Sequence, residues 1–245
     1  MFEPAIFPSE AEPALTAEFF KSDPPGFFVD IGANDPVLHS QSLVLEQRGW
    51  TGILVEPLPE KAAELRSRRK AQVYEVACSS PENDGKLLAF HVAGIYSTLL
   101  TQSVAVGAVR TGQIMVRGAT LDSVLHKSNA PTPIEYVSID VEGHEIAVLE
   151  GFDLKHWRPR LLVVEDLAMN FALHRYLKAR GYVWFRRAGL NAWFAPSDSV
   201  PAISPFGRWQ FIRKHYFSLP FRHAREIKRR IVGRPLGQPR KPAAS

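Results

Sequence analysis

Short apolar runs alternate with amphipathic segments along most of this chain. The runs are Phe27 to Ile31, Gly52 to Val55, Gln72 to Cys78, Ile134 to Val141 and Leu161 to Val164. Near-continuous apolar stretches of this length, set off by Gly and Pro, predict strands buried on both faces of a parallel sheet. Between them, Leu38–Arg48 is amphipathic and stopped by Gly49, and Pro57–Lys70 is charged with Ala62, Ala63 and Leu65 facing inward. A Thr120-capped turn reaches Leu125, Ile146–Leu149 is closed by Gly151, and Phe171–Arg180 is stopped by Gly181. These read as helices with ordinary start and stop signals. Tyr182–Phe185 and Asn191–Ala195 read as a hairpin through Ala188-Gly189. Strand–helix alternation predicts an α/β fold, a doubly wound and mostly parallel sheet, with the closing hairpin adding an antiparallel strand. Ala14–Lys21 is a further short helix, and Leu87–Val92 and Ile114–Val116 are strand-like. Gly94–Gly112 has no clear form; it lines a substrate pocket or is an ordinary long loop.

The polar residues that interrupt this pattern gather at one end of it. Asp30, Glu56, Asp140, Glu142, Glu165 and Asp166 all fall at the carboxyl ends of predicted strands, where open α/β sheets bind their ligands. The first strand runs into Gly32-Ala33-Asn34-Asp35-Pro36, and the acid ending the second strand, Glu56, lies near the distance at which nucleotide folds place a ribose-binding carboxylate. A pyrophosphate-binding turn needs a second glycine where this chain has Asn34. The pattern therefore favours a nucleoside-type ligand without phosphates, such as S-adenosylmethionine. The simpler reading is a core strand with a Gly/Asn turn and two solvated acids.

Composition changes the picture in two places. One cysteine, Cys78, excludes an intramolecular disulfide and a four-cysteine zinc site, and suits a reducing compartment. The N-terminal stretch carries Glu3, Glu10, Glu12 and Glu18 without a basic start, and no apolar run approaches a membrane span; the expectation is a soluble, cytoplasmic protein. The net charge of +5 is uneven: residues 206–245 hold eleven Lys/Arg against Glu226 alone, a net +10, leaving −5 for residues 1–205. The same segment interleaves Trp209, Phe211, Tyr216, Phe217 and Phe221 with those cations, and Pro220 can open a helix to Val232. Two readings follow: an interfacial helix over 206–232 on the inner face of an anionic membrane, and, favoured, a basic extension packing its aromatics onto the sheet domain. No nucleic-acid-binding module is present, so nucleic acid is not an expected partner.

Val29-Asp30-Ile31-Gly32-Ala33-Asn34, Val55-Glu56-Pro57, Thr120-Leu121-Asp122, and Ile139-Asp140-Val141-Glu142-Gly143-His144-Glu145 followed by Val148-Leu149-Glu150-Gly151 together resemble the FkbM family of S-adenosylmethionine-dependent methyltransferases. The resemblance covers about residues 27–196, leaving an N-terminal extension (1–26) and a basic aromatic C-terminal extension (197–245). It implies a class I, Rossmann-like methyltransferase fold and O-methylation of a small-molecule hydroxyl, of a sugar, glycan precursor or other metabolite. Many family members read G-A-N-x-G where this chain has Gly32-Ala33-Asn34-Asp35-Pro36; with Ser40 and Gly49-Trp50, that form resembles a subgroup found near sugar-transfer and cell-surface glycan proteins. By resemblance, Asp30 and the Gly32–Asn34 main chain would hold the donor's amino-acid part, and Glu56, beside Pro57, its ribose. Ala77, Cys78 and Ser79 would lie near the adenine, and Asp140 nearest the methyl group. Cys78 reads as a small buried side chain and not a nucleophile. A hydroxyl acceptor needs a base. His144 is the leading candidate because imidazole titrates near neutrality; Glu142, Glu145 and Asp140 are alternatives, and His39 is a further one. Equally, His144 only caps or packs its helix. Asp140, Glu142, Glu165 and Asp166 offer the hard oxygen ligands that Mg²⁺ uses, but clustered acids at strand ends also occur without a metal, so no metal ligand is assigned. N-methylation on the same fold, and a binding protein that has lost catalysis, are the competing functions. Oligomeric state is left open by the sequence.

Overall fold

The apolar runs assemble into a large twisted sheet, seen in a computed structural model that describes residues 3–94, 96–100, 111–166, 170–217, 220, 221 and 224. The strands in chain order are β1 (Ile6–Phe7), β2 (Phe27–Ile31), β3 (Thr51–Val55), β4 (Gln72–Tyr74), β5 (Ala77–Cys78), β6 (Leu87–Val92), β7 (Gly112–Ala119), β8 (Tyr136–Ile139), β9 (Leu161–Glu165), β10 (Tyr182–Ala188) and β11 (Asn191–Pro196). The helices are α1 (Glu12–Phe19), α2 (Leu43–Glu46), α3 (Pro59–Arg68), α4 (Leu121–Lys127), α5 (Glu145–Glu150), α6 (Leu154–Trp157), α7 (Phe171–Ala179) and α8 (Pro205–Ile212). Eight strands form the large sheet in the order β1-β10-β11-β9-β8-β2-β3-β4. Every pairing is parallel except the two made by β11. Strand order reverses between β2 and β8, and at such a switch point a crevice opens beyond the carboxyl ends.

Side chains alternate across this sheet with period two. Val29, Ile31, Ile53, Val55, Val137, Ile139, Leu162 and Val164 build one buried layer. Phe28, Leu54, Tyr136, Leu161 and Val163 build the other. Parallel strands must be covered on both faces, and this alternation places an apolar layer on each.

Several expectations shift. The strand predicted over 72–78 is broken: β4 stays in the large sheet, while β5 pairs with β7 in a small sheet ordered β5-β7-β6. The strand predicted at Ile114–Val116 runs over the whole of β7 and forms an antiparallel pair with β6. The helix expected over 38–48 shrinks to α2, because Asn34 and His39 take left-handed conformations (φ 44° and 61°) and Asp35 caps the N–H groups of Val37 and Leu38 instead. Residues 5–20 are no loose extension. β1 adds to the sheet edge beside β10. The buried Glu12 carboxylate accepts from Asn191 Nδ2 (2.7 Å) and Trp193 Nε1 (2.9 Å).

At the other end, α8 is capped by Ser204, whose hydroxyl accepts from the Gly207 N–H. It seats Phe211 against Trp184, with ring centroids 4.0 Å apart. Phe206, Trp209 and Ile212 on the same helix, and Tyr216, Phe217 and Phe221 beyond it, are exposed. The aromatics thus divide, one packing on the domain and the rest facing outward. Most of the helix expected from Pro220 to Val232 lies outside the described residues. No described helix is long and apolar enough to cross a membrane.

Candidate active site

The switch point between β2 and β8 opens into a cleft lined by residues at the strand ends, among them Ile31, Gly32, Val55, Glu56 and Asp140. Its floor is built by backbone geometry that the sequence dictates. Gly32 turns the chain out of β2 at φ 84°, and a Cβ there would sit 1.8 Å from the Asp140 carbonyl oxygen. Only glycine lets the loop after β2 lie against the end of β8. Asp140 itself is fixed by its N–H, which donates to the Ile31 carbonyl (3.0 Å).

The loop's N–H groups are already used. Gly32 and Ala33 both donate to the Val55 carbonyl (2.9 and 3.2 Å), and Asn34 donates to Glu56 Oε2 (2.9 Å). The turn therefore has none of these donors left for a phosphate. The other Glu56 oxygen accepts from the Leu58 N–H (2.9 Å). Two main-chain donors thus clamp this buried carboxylate at the end of β3, with lone pairs left over for a ligand's hydroxyls. Burial pushes its carboxyl up from the ordinary value, against those two hydrogen bonds.

β8 is followed by a strained turn. Glu142 (φ 53°) and Gly143 (φ 96°) are both left-handed. For a glutamate that conformation is uncommon, and it persists only where surroundings enforce it. Two contacts do so: Thr98 Oγ1 donates to the Glu142 carbonyl (3.1 Å), and the Gly143 N–H donates to Glu145 Oε1 (2.8 Å). The turn aims Glu142 and His144 into the cleft. His144 occupies the N-cap of α5 but makes no capping bond with its side chain. Its Nε2 instead meets Ser79 Oγ at 2.9 Å, and Asn83 Nδ2 donates to the same hydroxyl (2.9 Å). Burial lowers the imidazole's pKa, opposed by Glu82, so the ring is neutral at neutral pH.

Carboxylate oxygens of Asp140, Glu142 and Glu165 converge within 4.8 Å of one another. Burial raises all three; after it come Glu145 for Asp140, Asp140 and Glu145 for Glu142, which is pushed up to about 8, and Asp140, Glu142 and Glu145 for Glu165. Asp166 does not join them. It is buried on the other side of β9, where Arg187 Nη1 donates to its Oδ2 (2.8 Å) and His174 Nε2 lies 3.0 Å from the same oxygen. Burial raises its pKa, but the bond to His174 and the Arg187 charge outweigh that and hold it below the ordinary value.

Of the residues singled out from sequence, Gly32, Asn34, Glu56, Pro57, Cys78, Asp140, Glu142 and His144 line the cleft together. Asp30, Ala33 and Ser79 do not. Asp30 follows the period-two alternation onto the opposite face, where Ser42 Oγ donates to its Oδ2 (2.6 Å) and Arg69 supports Ser42. It braces the loop from behind, in place of the direct donor contact expected of it. Ser79 is fully buried and serves His144. Sequence reasoning missed Asn83 and Thr98, which act only through their partners and carry no local signal. The unassigned 94–112 stretch does contribute Gly94, Ser97 and Leu99 to the wall; residues 101–110 of it lie outside the described ones.

No curated protein matches the chain. Among protein families, the one described as Methyltransferase FkbM domain matches residues 30–184. That span exceeds half the chain and holds the Gly32 turn, Glu56 and the whole Asp140–Glu145 block. The chain belongs to the FkbM methyltransferase domain family.

Proposed function

We propose that this methyltransferase uses S-adenosylmethionine to methylate a hydroxyl of a sugar, glycan precursor or other small metabolite. The observation that carries the reading is Glu56: a buried carboxylate, clamped by two main-chain N–H groups, at the end of the strand after a glycine turn whose own donors are spent. Such a site suits ribose hydroxyls next to a cationic amino-acid group and does not suit phosphates. The strand order and the antiparallel β11 support a class I methyltransferase arrangement.

When bound, S-adenosylmethionine supplies a methyl carbon on a sulfonium leaving group. Glu56 would accept from the ribose hydroxyls, and Asp140 would complement the positive charge of the donor. Cys78 and Pro57 would flank the base. Holding the acceptor oxygen in line with the donor is where most of the rate gain lies, because orientation removes several kcal/mol of a bimolecular barrier. The hydroxyl proton must leave as the new bond forms. His144, neutral and oriented by Ser79, takes it when Nε2–H donates to the serine and Nδ1 keeps its lone pair. The cluster of acids beside the cleft favours, as the second reading, an amine acceptor that would bind as its ammonium and give up a proton before its lone pair attacks the methyl carbon.

The test is a calorimetric titration of purified protein with S-adenosylmethionine and S-adenosylhomocysteine, with NAD as control. Binding of the sulfonium pair and not NAD, weakened at least tenfold by Glu56→Ala, is expected. A well-folded protein that binds neither would overturn the donor assignment.

A further inference from the structure

Glu165 and Asp166 each keep one buried side-chain oxygen without a hydrogen-bond partner among the described residues, Oε2 and Oδ1, but Asp166 has Arg187 and His174 against its other oxygen. Glu165 is 6% exposed and has no such cation among the described residues. A buried carboxylate oxygen left bare is costly. Its carboxylate is also one of the three whose oxygens lie within 4.8 Å of each other. No Lys or Arg forms an ion pair with Asp140, Glu142 or Glu165 among the described residues; the nearby Arg187 is held by Asp166 and the carbonyls of Gly189 and Leu190. Among the described residues, three carboxylates therefore converge without a protein cation.

We infer that Asp140, Glu142 and Glu165 form a divalent-cation site in the wall of the cleft, which ligates an oxygen of the acceptor. The spacing fits. Hard divalent cations hold oxygens at about 2.1 Å (Mg²⁺) to about 2.4 Å (Ca²⁺), so the widest pair in one coordination sphere is about 4.2–4.8 Å apart. The ligands come from the ends of two adjacent sheet strands and from one enforced turn, so they are held in place before any ion arrives. Three protein oxygens leave about three of six positions for water and for acceptor oxygens. Asp140 and Glu142 also line the cleft itself, so a ligated hydroxyl would lie within it. The cation would lower the pKa of that hydroxyl and lighten the task of His144. Asp166, the fourth acid in the sequence pattern, is excluded because Arg187 and His174 already compensate it.

This inference rests on the proposed cleft chemistry but is tested separately from it. Full-length protein is stripped with chelator, exchanged into chelator-free buffer, and titrated with Mn²⁺ alone, free Mn²⁺ being read by electron paramagnetic resonance, with and without S-adenosylhomocysteine. One Mn²⁺ per chain is expected, displaced by excess Mg²⁺, and weakened at least tenfold by Glu165→Gln. Glu142→Gln, in a partly exposed turn, gives the same loss should the buried variant fold poorly. Mn²⁺ that fails to bind stripped wild-type protein overturns the inference, as does undiminished binding to both folded variants. If Mn²⁺ fails while S-adenosylhomocysteine binds, only the cation site falls. If Mn²⁺ binds and S-adenosylhomocysteine does not, the cation site stands and the donor assignment falls.

Discussion

Glu165 and Asp166 are neighbours in the chain, both buried where β9 ends, and their surroundings are opposite. Asp166 receives Arg187 through two of its nitrogens, on Oδ2 and on the main-chain oxygen, and meets His174 as well. Glu165, pointing to the other face, converges with Asp140 and Glu142 and has no ion pair among the described residues. One carboxylate has its countercharge within the protein, although its Oδ1 is buried without a hydrogen-bond partner among the described residues; for the other, the cation inferred above would come from outside. Burial by itself does not separate structural from functional charge. The presence of a countercharge does.

The largest effect should come from removing that countercharge. Arg187→Met leaves Asp166 buried without its cation, and breaking a buried pair in this way costs about 3–5 kcal/mol. Urea unfolding followed by circular dichroism should show that loss. Replacing both members, with Asp166→Leu added, should recover much of it, and the double-mutant cycle measures the coupling. A loss below about 1 kcal/mol in the single variant, within the range of ordinary substitutions, would show that the two neighbours do not differ as described.

A smaller effect has opposite signs at the two positions. With chelator present, Glu165→Gln removes the proton that this buried acid, pushed up to about 9, must take up on folding, and should hold or raise the urea midpoint at pH 8, whereas Asp166→Asn should lower it. The pH responses are opposed in the same way. Asp166 has a folded pKa below its ordinary value, so its contribution is present above that value and lost as pH falls through the folded one. Glu142 is raised from 4.5 to about 8. Across that window the native protein keeps a proton that the unfolded chain has lost, so this contribution declines as pH rises. Stability measured from pH 5 to 9 in chelator should fall less steeply in Glu142→Gln than in wild type; equal slopes would remove Glu142 from the cluster.

The smallest effect is chemical. Cys78 lies in the cleft wall, and burial pushes its thiol up to about 12. Native protein at pH 8 should resist alkylation by iodoacetamide for hours, and denatured protein should react fully within minutes. Fast labelling of native protein would mean that the wall beside the Glu56 site opens.

The strands at the heart of the sheet were legible because a run such as Leu161–Val164 or Phe27–Val29 can be buried only on both faces. The carboxyl-edge placement of the acids followed directly. The facing of each acid did not. Period-two alternation sends Asp30 behind the sheet with Phe28, and that register is set by pairing with β3 and β8, which no local stretch records. Glu165 and Asp166 looked alike in sequence because their difference lies in Arg187, a residue of another strand. β1 escaped notice because two residues have no periodicity, and α2 was overestimated because the capping of Asp35 is as local as the amphipathic pattern that suggested a longer helix.

The pairing of β1 with β10, and of Glu12 with Asn191 and Trp193, also bears on how the protein is made. Residues 6–12 leave the ribosome about 180 residues before their partners in β10 and β11. At roughly 5–20 residues per second, that is a wait on the order of ten seconds or more. Throughout it, an edge strand and a glutamate that ends up buried remain in water. Closure of the sheet edge is therefore a late event in folding, and a bulky fusion ahead of residue 6 would burden that last step more than it would the cleft.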